Sequence, residues 1–288
     1  MKRIAIVTDS VASIPETIME ALDIHWVPYY IHREKEVLRD LATIRQEDFY
    51  RWMLITEELP KTACPGPGDY LETYEELAAS GTEEILSIHM TSKGSGAYQS
   101  ARTAQSMARE RLPGLVIEVV DTLNVSMCHG WMTIEAARAA LAGRSMQDIL
   151  GLVREMMPKT RMIQTADTLR YLYMGGRIGR AKHLVGTLLN IKPLIGMEDG
   201  EIVPLGQTRS RKRAYTMMAE MIEAAVGTMG KIKIAYVHAA ALEEAEKIRA
   251  VVESRLTCVE TIFAELPPAL GVHTGPGTAG LCYYPVSS

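Results

Sequence analysis

The sequence predicts an α/β protein whose first half builds a mostly parallel sheet with flanking helices and whose second half is an α+β unit. Three observations predict this. Apolar, strand-like runs alternate with helical stretches from the start to about residue 157, as in parallel strands joined by helical crossovers. Beyond Arg161 the pattern changes to short helices and two apolar runs flanking Asp199-Gly200, a strong hairpin signal. Hydrophobic residues make up 47% of the 288 residues, enough for a full core and for two domains, 1–160 and 161–288.

In chain order, Arg3–Thr8 is a buried strand ending in Asp9-Ser10. Polar residues past the carboxyl end of such a strand face a ligand crevice or cap the next helix, and Thr8, Asp9 and Ser10 fit both roles. That helix begins near Pro15, a favoured first-turn residue. His25–Ile31 is β-rich, with Pro28 marking an edge or an end. A helix over 44–56 follows, with Thr43 as its expected cap. Leu59–Gly68 is dense in Pro and Gly and is expected to be a loop, which puts Thr62 just ahead of a helix over 69–79.

The central stretch comes next. Glu84–Met90 reads as a strand and Ala97–Arg111 as a helix; between them lie Thr91, Ser92, Lys93, Gly94, Ser95 and Gly96. A hydroxyl- and glycine-rich turn at a helix start aims free N–H groups, hydroxyls and the positive end of the helix dipole at one spot. Such a spot suits an anion, a carboxyl or a phosphoryl head. Ser95 fits a plain helix cap equally well, and the glycines a tight turn. The turn carries neither a Walker loop nor a dinucleotide fingerprint.

Leu115–Val120 is a strand ending in Asp121-Thr122, followed by helices over 126–142 and 145–157. In the second half, Arg161–Thr165 is a strand, and a helix over 168–178 is stopped by Gly175-Gly176. Arg177 past this stop either caps the helix's carbonyls, the favoured reading, or faces a cleft. A short helix over 181–189, the hairpin, a helix over 210–226, and strand–helix–strand segments to Ala264 follow. Val272–Thr278, which holds His273, is expected to be a loop before a last strand, Ala279–Tyr284.

Composition excludes several classes. Net charge is −4 with acids and bases interspersed, so nothing advertises a nucleic-acid partner. No apolar run reaches membrane-spanning length, and the amino terminus enters a strand directly, so neither an integral membrane segment nor a signal peptide is expected. Cys64, Cys128, Cys258 and Cys282 lack metal-ligand spacing and read as reduced thiols of a cytoplasmic protein. The 17 Met against 2 Phe suit either an adaptable slot or an ordinary core.

Six stretches together resemble the DegV family of bacterial fatty-acid-binding proteins. They are Val7-Thr-Asp-Ser10, Lys61-Thr62 with its Pro-rich loop, and Ser95-Gly96 with Tyr98-Gln-Ser-Ala101, then Gly175-Gly-Arg-Ile178, Leu189-Asn-Ile-Lys-Pro193 and His273-Thr-Gly-Pro-Gly277. The resemblance implies a two-domain DegV-like fold with a long-chain fatty acid between the domains. It places the carboxylate at Thr62 and Ser95, with Gly96 in the turn and His273 closing over the head. Thr91, Ser92, Asp9, Ser10 and Arg177 form the outer set of candidates. It also implies a non-enzymatic protein, with no cofactor or metal, that presents its acid to a separate ATP-dependent fatty-acid kinase for acyl phosphate formation. The chain departs from the family pattern at Ala63-Cys64-Pro-Gly66, at Gly94 and Ala97, and at Gly179, which removes three hydroxyls and one amide. Two other readings compete: a phosphoryl- or acyl-transfer enzyme using the 91–96 turn, with Asp9 and Asp121 at strand ends, and a lipid-sensing regulator.

Physical chemistry agrees with a lipid. At about 0.8 kcal/mol per buried methylene, a tail of ~16 carbons carries on the order of 10 kcal/mol of gross transfer energy, reduced by ordering costs. The tail then supplies affinity and the head group supplies direction. Arg209-Ser-Arg-Lys-Arg213 places cations at a helix start, an unfavourable place for them, and is read as a solvated face or a docking patch for a kinase.

Overall fold

A computed structural model describes residues 3–56, 58–187 and 191–286. The first half runs β1 (Ile4–Asp9), α1 (Glu16–Ala21), β2 (Ile24–Val27), β3 (Tyr30–Arg33), β4 (Glu36–Arg39) and α2 (Gln46–Met53). It continues through β5 (Lys61–Ala63), α3 (Pro67–Ala79), β6 (Glu84–His89), α4 (Ala97–Arg111), β7 (Val116–Asp121), α5 (Met127–Leu141) and α6 (Met146–Met156). The second half holds β8 (Arg161–Thr165), α7 (Arg170–Met174), a 3-10 segment (Gly179–Thr187), β9 (Lys192–Glu198), β10 (Glu201–Thr208) and α8 (Arg211–Val226). It ends with β11 (Lys231–His238), α9 (Leu242–Glu253), β12 (Thr257–Glu265), α10 (Pro268–Thr274) and β13 (Ala279–Val286).

Strands β2-β1-β6-β7 form the expected parallel sheet. Every residue of β6 is buried, as a strand covered on both faces requires. The second sheet has the order β10-β9-β8-β13-β11-β12 and is antiparallel except for β11 and β12. Alternate residues of β11 face opposite sides. Ile232, Ile234 and Tyr236 pack with Tyr215 and Met218 of α8 and Ile248 of α9. Ala235 and Val237 pack into the core around α5. That core is continuous between the sheets, and Trp131 of α5 donates its indole N–H to the Cys282 carbonyl of β13 at 3.2 Å.

The hairpin forms as expected, with Asp199 and Gly200 both at positive φ, 50° and 78°, which is the two-residue turn this dipeptide favours. Five expectations need correcting. Lys61–Ala63 is a strand rather than loop; it pairs with β3, Thr62 opposite Ile31, in a three-stranded antiparallel sheet with β4. Pro60 and Pro65 bracket this strand and leave its ladder intact. Thr43 does not cap α2, because its hydroxyl accepts from the Arg39 amide at 2.7 Å and closes the preceding turn. The helix expected over 168–178 is the shorter α7, and the one expected from Ala181 is 3-10 as far as Thr187, with Leu188, Leu189 and Asn190 outside the described residues. His273 belongs to the last turn of α10, not to a loop, and Pro268 opens that helix. No helix among the described residues is long and apolar enough to cross a membrane, and the four cysteines are free.

Gly130 sets how closely α5 approaches the end of β1. An added methyl there would press into the Ala12 carbonyl and lie 2.9 Å from Met127 Sδ. Gly130→Ala should therefore destabilise the fold by about 1–3 kcal/mol through overpacking, although alanine is the better helix former by about 1 kcal/mol. Urea denaturation reads the sign, and a stabilised variant would show that the two segments have room to part.

Candidate functional site

Loops from both sheets converge on a cavity of about 250 Å³. The first half contributes the 91–96 turn, Tyr29 and the β5 residues Thr62 and Cys64; the second contributes Arg177, the β9–β10 hairpin and α10. Much of the wall is apolar, including Met90, Val125, Met162, Ile195, Met197 and Leu270. Polar groups gather where β5, the turn and α10 meet.

Two hydrogen bonds define that polar end. Thr62 Oγ1 lies 2.8 Å from His273 Nε2, and Ser95 Oγ lies 2.6 Å from the Tyr29 hydroxyl. Burial, reinforced by the Arg177 charge, pushes the His273 imidazole down to about 4, so at neutral pH it is uncharged. Its Nδ1 is buried with no hydrogen-bond partner and packs against Gly175, where any side chain would collide with the ring. Tyr29 is held well above the usual phenol range, first by burial and then by the Asp9 charge. The polar end thus offers hydroxyls and a neutral imidazole. Arg177, exposed at the rim, donates to the Gly175 carbonyl at 2.7 Å and reaches Gly94 O at 3.4 Å, and the exposed Lys93 also lines the cavity. Arg177 therefore does cap the end of α7, and it also touches the turn opposite.

The turn differs from the expected cradle of free amides. The Gly94 and Ser95 amides donate to Thr91 O, Ala97 N donates to Ser95 Oγ at 3.2 Å, and the Ser92 amide goes to the Asp121 carboxylate. This leaves the Gly96 amide for a ligand. Neither Gly94 nor Gly96 has positive φ. They are small because Met90 Cε and Cys64 Sγ would each lie 3.1 Å from an added Cβ.

Of the candidates, Thr62, Ser95, Gly96, His273, Thr91 and Arg177 line the cavity, and Ser92, Asp9 and Ser10 do not. The Thr91 hydroxyl is spent on the Gly200 carbonyl at 2.9 Å, latching the turn to the hairpin. Ser92 is exposed. Asp9 is buried and meets His89 Nδ1 at 3.1 Å, and His89 Nε2 meets Ser87 Oγ at 2.7 Å. Ser10 donates to Asp40 at 2.6 Å and accepts from the Tyr29 amide. These last two stand behind the site, because the end of β1 meets His89, Asp40 and the Tyr29 backbone and so faces protein rather than a crevice.

Sequence reasoning missed Tyr29, Cys64 and Asp40. Asp40 is fully buried, and its other oxygen accepts from the Ala269 amide at 3.2 Å, at the start of the helix that carries His273. It therefore ties Ser10, and through it the Tyr29 backbone, to α10. Burial pushes its carboxyl up to about 7, partly offset by these two hydrogen bonds. The flanking sequence gives no signal for it, since the partners are 30 and 229 residues away. Among the described residues no group of three or more His, Cys, Asp or Glu is placed to hold a metal ion.

Fold and site together define an α/β protein of two main sheets and a small third one, with a mostly apolar interior cavity whose polar end carries hydroxyls and a neutral imidazole. The chain belongs to the DegV family: the family model described as "Uncharacterised protein, DegV family COG1307" matches residues 3–286. A DegV domain-containing protein of Halalkalibacterium halodurans is 34% identical over 286 residues, 99% of each chain. Among solved structures, a DegV family protein from Thermus thermophilus, described with fatty-acid binding, superimposes with a TM-score of 0.91 at 29% identity, covering 99% of this chain and 100% of that one. DegV from Bacillus subtilis, described as a fatty acid binding protein, gives 0.89 at 30% identity, again covering 99% and 100%.

Asp40 makes stability depend on pH. A carboxyl raised from 3.8 to about 7 on folding contributes fully below the unfolded value and loses that contribution as pH rises towards 7, by at most roughly 4 kcal/mol. Asp40→Asn removes the titration. The variant should therefore gain on the wild type as pH is raised from about 5 to about 8, read by urea denaturation across that range. Parallel profiles would show that Asp40 ionises as an ordinary carboxylate.

Proposed function

We propose that this chain binds a long-chain fatty acid and presents its carboxylate to a separate fatty-acid kinase, without performing chemistry itself. In this reading residues 1–160 and 161–288 act as two lobes, the first bearing the head-group loops and the second closing the cleft. One observation carries the reading: a mostly apolar cavity lies between the two sheets, and its polar end is made of Thr62, Ser95 and His273. The printed descriptions of the Thermus and Bacillus proteins support it.

The chemistry fits a carboxylate. Thr62 and Ser95 can turn their O–H bonds from His273 and Tyr29 to an entering anion. Tyr29 can then donate to Ser95 Oγ, and the neutral imidazole, carrying its proton on Nε2, can donate to Thr62 Oγ1. Hydrogen bonds to a charged acceptor contribute about 1.5–3 kcal/mol each, which directs the head while the tail supplies most of the affinity. Uncharged donors also leave the carboxylate oxygens nucleophilic towards a phosphoryl donor, as acyl phosphate formation needs. A phosphoryl-transfer reading draws less support. Of its two strand-end carboxylates, Asp9 is bonded to His89 and Asp121 accepts the amides of Ser92 and Leu123, and neither lines the cavity.

Organic extraction and mass spectrometry of the purified protein should release about one fatty acid per chain. Thr62→Ala with Ser95→Ala should weaken fatty-acid affinity by roughly 100- to 10,000-fold while the melting temperature stays near the wild type. Unchanged affinity in the double variant would remove these hydroxyls from the head-group role, and a protein empty of lipid that binds none would sink the reading as a whole. Added to a fatty-acid kinase with ATP, the loaded wild type should drive ADP release and the double variant should do so poorly.

A further inference from the structure

The β9–β10 hairpin is a partition. Ile195, Met197 and Ile202 line the cavity described above. Glu198, Val203 and Leu205 line a second, open cleft of about 1140 Å³ on the other side. Met197 lines both. The partition is fixed at its tip by the Thr91–Gly200 hydrogen bond and on its flank by Arg180, which grips the Glu198 carboxylate at 2.7 Å. Elsewhere the cavity backs onto solid core: Val11 and Leu266 are 1% and 0% exposed. Met197 is half-buried, a flexible unbranched side chain with cavity on one side and cleft on the other.

We propose that Met197 closes the tail end of the cavity and so sets the longest acyl chain this protein accepts. The inference rests on the fatty-acid reading and extends it to specificity. A tail threading away from Thr62 and Ser95 gains affinity for every methylene it buries, about fourfold each. It meets packed core on most walls and a single movable side chain at this one. Beyond Met197 the cleft offers further apolar surface from Val203, Leu205 and Met157, so shortening the side chain opens a path into space that already exists.

The test uses the full chain, stripped of lipid and titrated with saturated fatty acids of stepwise increasing length. In the wild type, affinity should climb with length and then stop climbing. In Met197→Ala the climb should continue for several further carbons, each again worth about fourfold. In Met197→Trp, which fills the wall, it should stop sooner. The two variants act in opposite directions, so if one fails to fold the other decides. A wild type with no length ceiling, or a folded variant that keeps the wild-type ceiling, would overturn the assignment of Met197 while leaving the carrier intact. A wild type that binds no acid of any length would instead remove the underlying reading, and this one with it.

Discussion

The structure depends on α5 being buried between two sheets. Trp131 and Met132 are fully buried, and the cluster they belong to holds Ile6 and Val7 of the first sheet as well as Ala235, Val237 and Cys282 of the second. A single core of this kind fixes the distance between the sheets to within side-chain packing tolerance. That matters because no one element makes the polar end of the cavity: Thr62 comes from β5, Ser95 from the β6–α4 turn and His273 from α10. On another face of α5, Arg138 and Glu135 meet Lys233 of β11 and Glu260 of β12 at 2.6–3.0 Å. These groups are half-buried, so their net contribution is modest. They act on orientation, holding the second sheet in register against the helix.

The site is built on neutrality. Burial keeps His273 uncharged and keeps Tyr29 protonated, and Arg177 is occupied by carbonyls at the rim. In the proposed role, a buried ammonium or guanidinium against the head group would bind a carboxylate more tightly, but it would also draw charge from oxygens that are to attack phosphorus. Hydroxyls hold the anion with less withdrawal. For a fatty acid bound as proposed, the lower head-group affinity would be made good by the tail, since the hydrophobic term scales with buried length.

Legibility followed the range of the interactions. Elements governed by neighbours in sequence were readable: α4 begins and ends where its pattern does, the Asp199-Gly200 turn is where the dipeptide puts it, and the helix expected over 210–226 is α8. What depended on distant partners was not. Lys61–Ala63 becomes a strand because β3 pairs with it. His273 sits in a helix whose first turn is held by Asp40, 229 residues away. Asp9 and Ser10 follow a strand end and so resemble crevice residues, but α10 and β3 close over that end. Residues chosen on the shared pattern of several motifs, Thr62, Ser95, Gly96 and His273, do meet at one cavity, because a pattern spread through a chain carries long-range information that a single stretch lacks.

The departures from the family pattern can now be given physical reasons. At Gly66 the hydroxyl lost from the cap of α3 is replaced from within the helix, since the Asp69 carboxylate accepts the Gly66 amide at 2.7 Å. Gly179 has φ +54°, and any side chain there would press on the Ile202 backbone of the hairpin. A serine at that position would push away the strand that walls the cavity, so glycine there goes with this close approach. Cys64 lies against Gly96, and Ala97 is fully buried beneath the turn. The polar groups that the family pattern would supply at these points are replaced by tight packing around Ser95. In the proposed head site, fewer donors set in tight packing would lose less entropy when a ligand arrives.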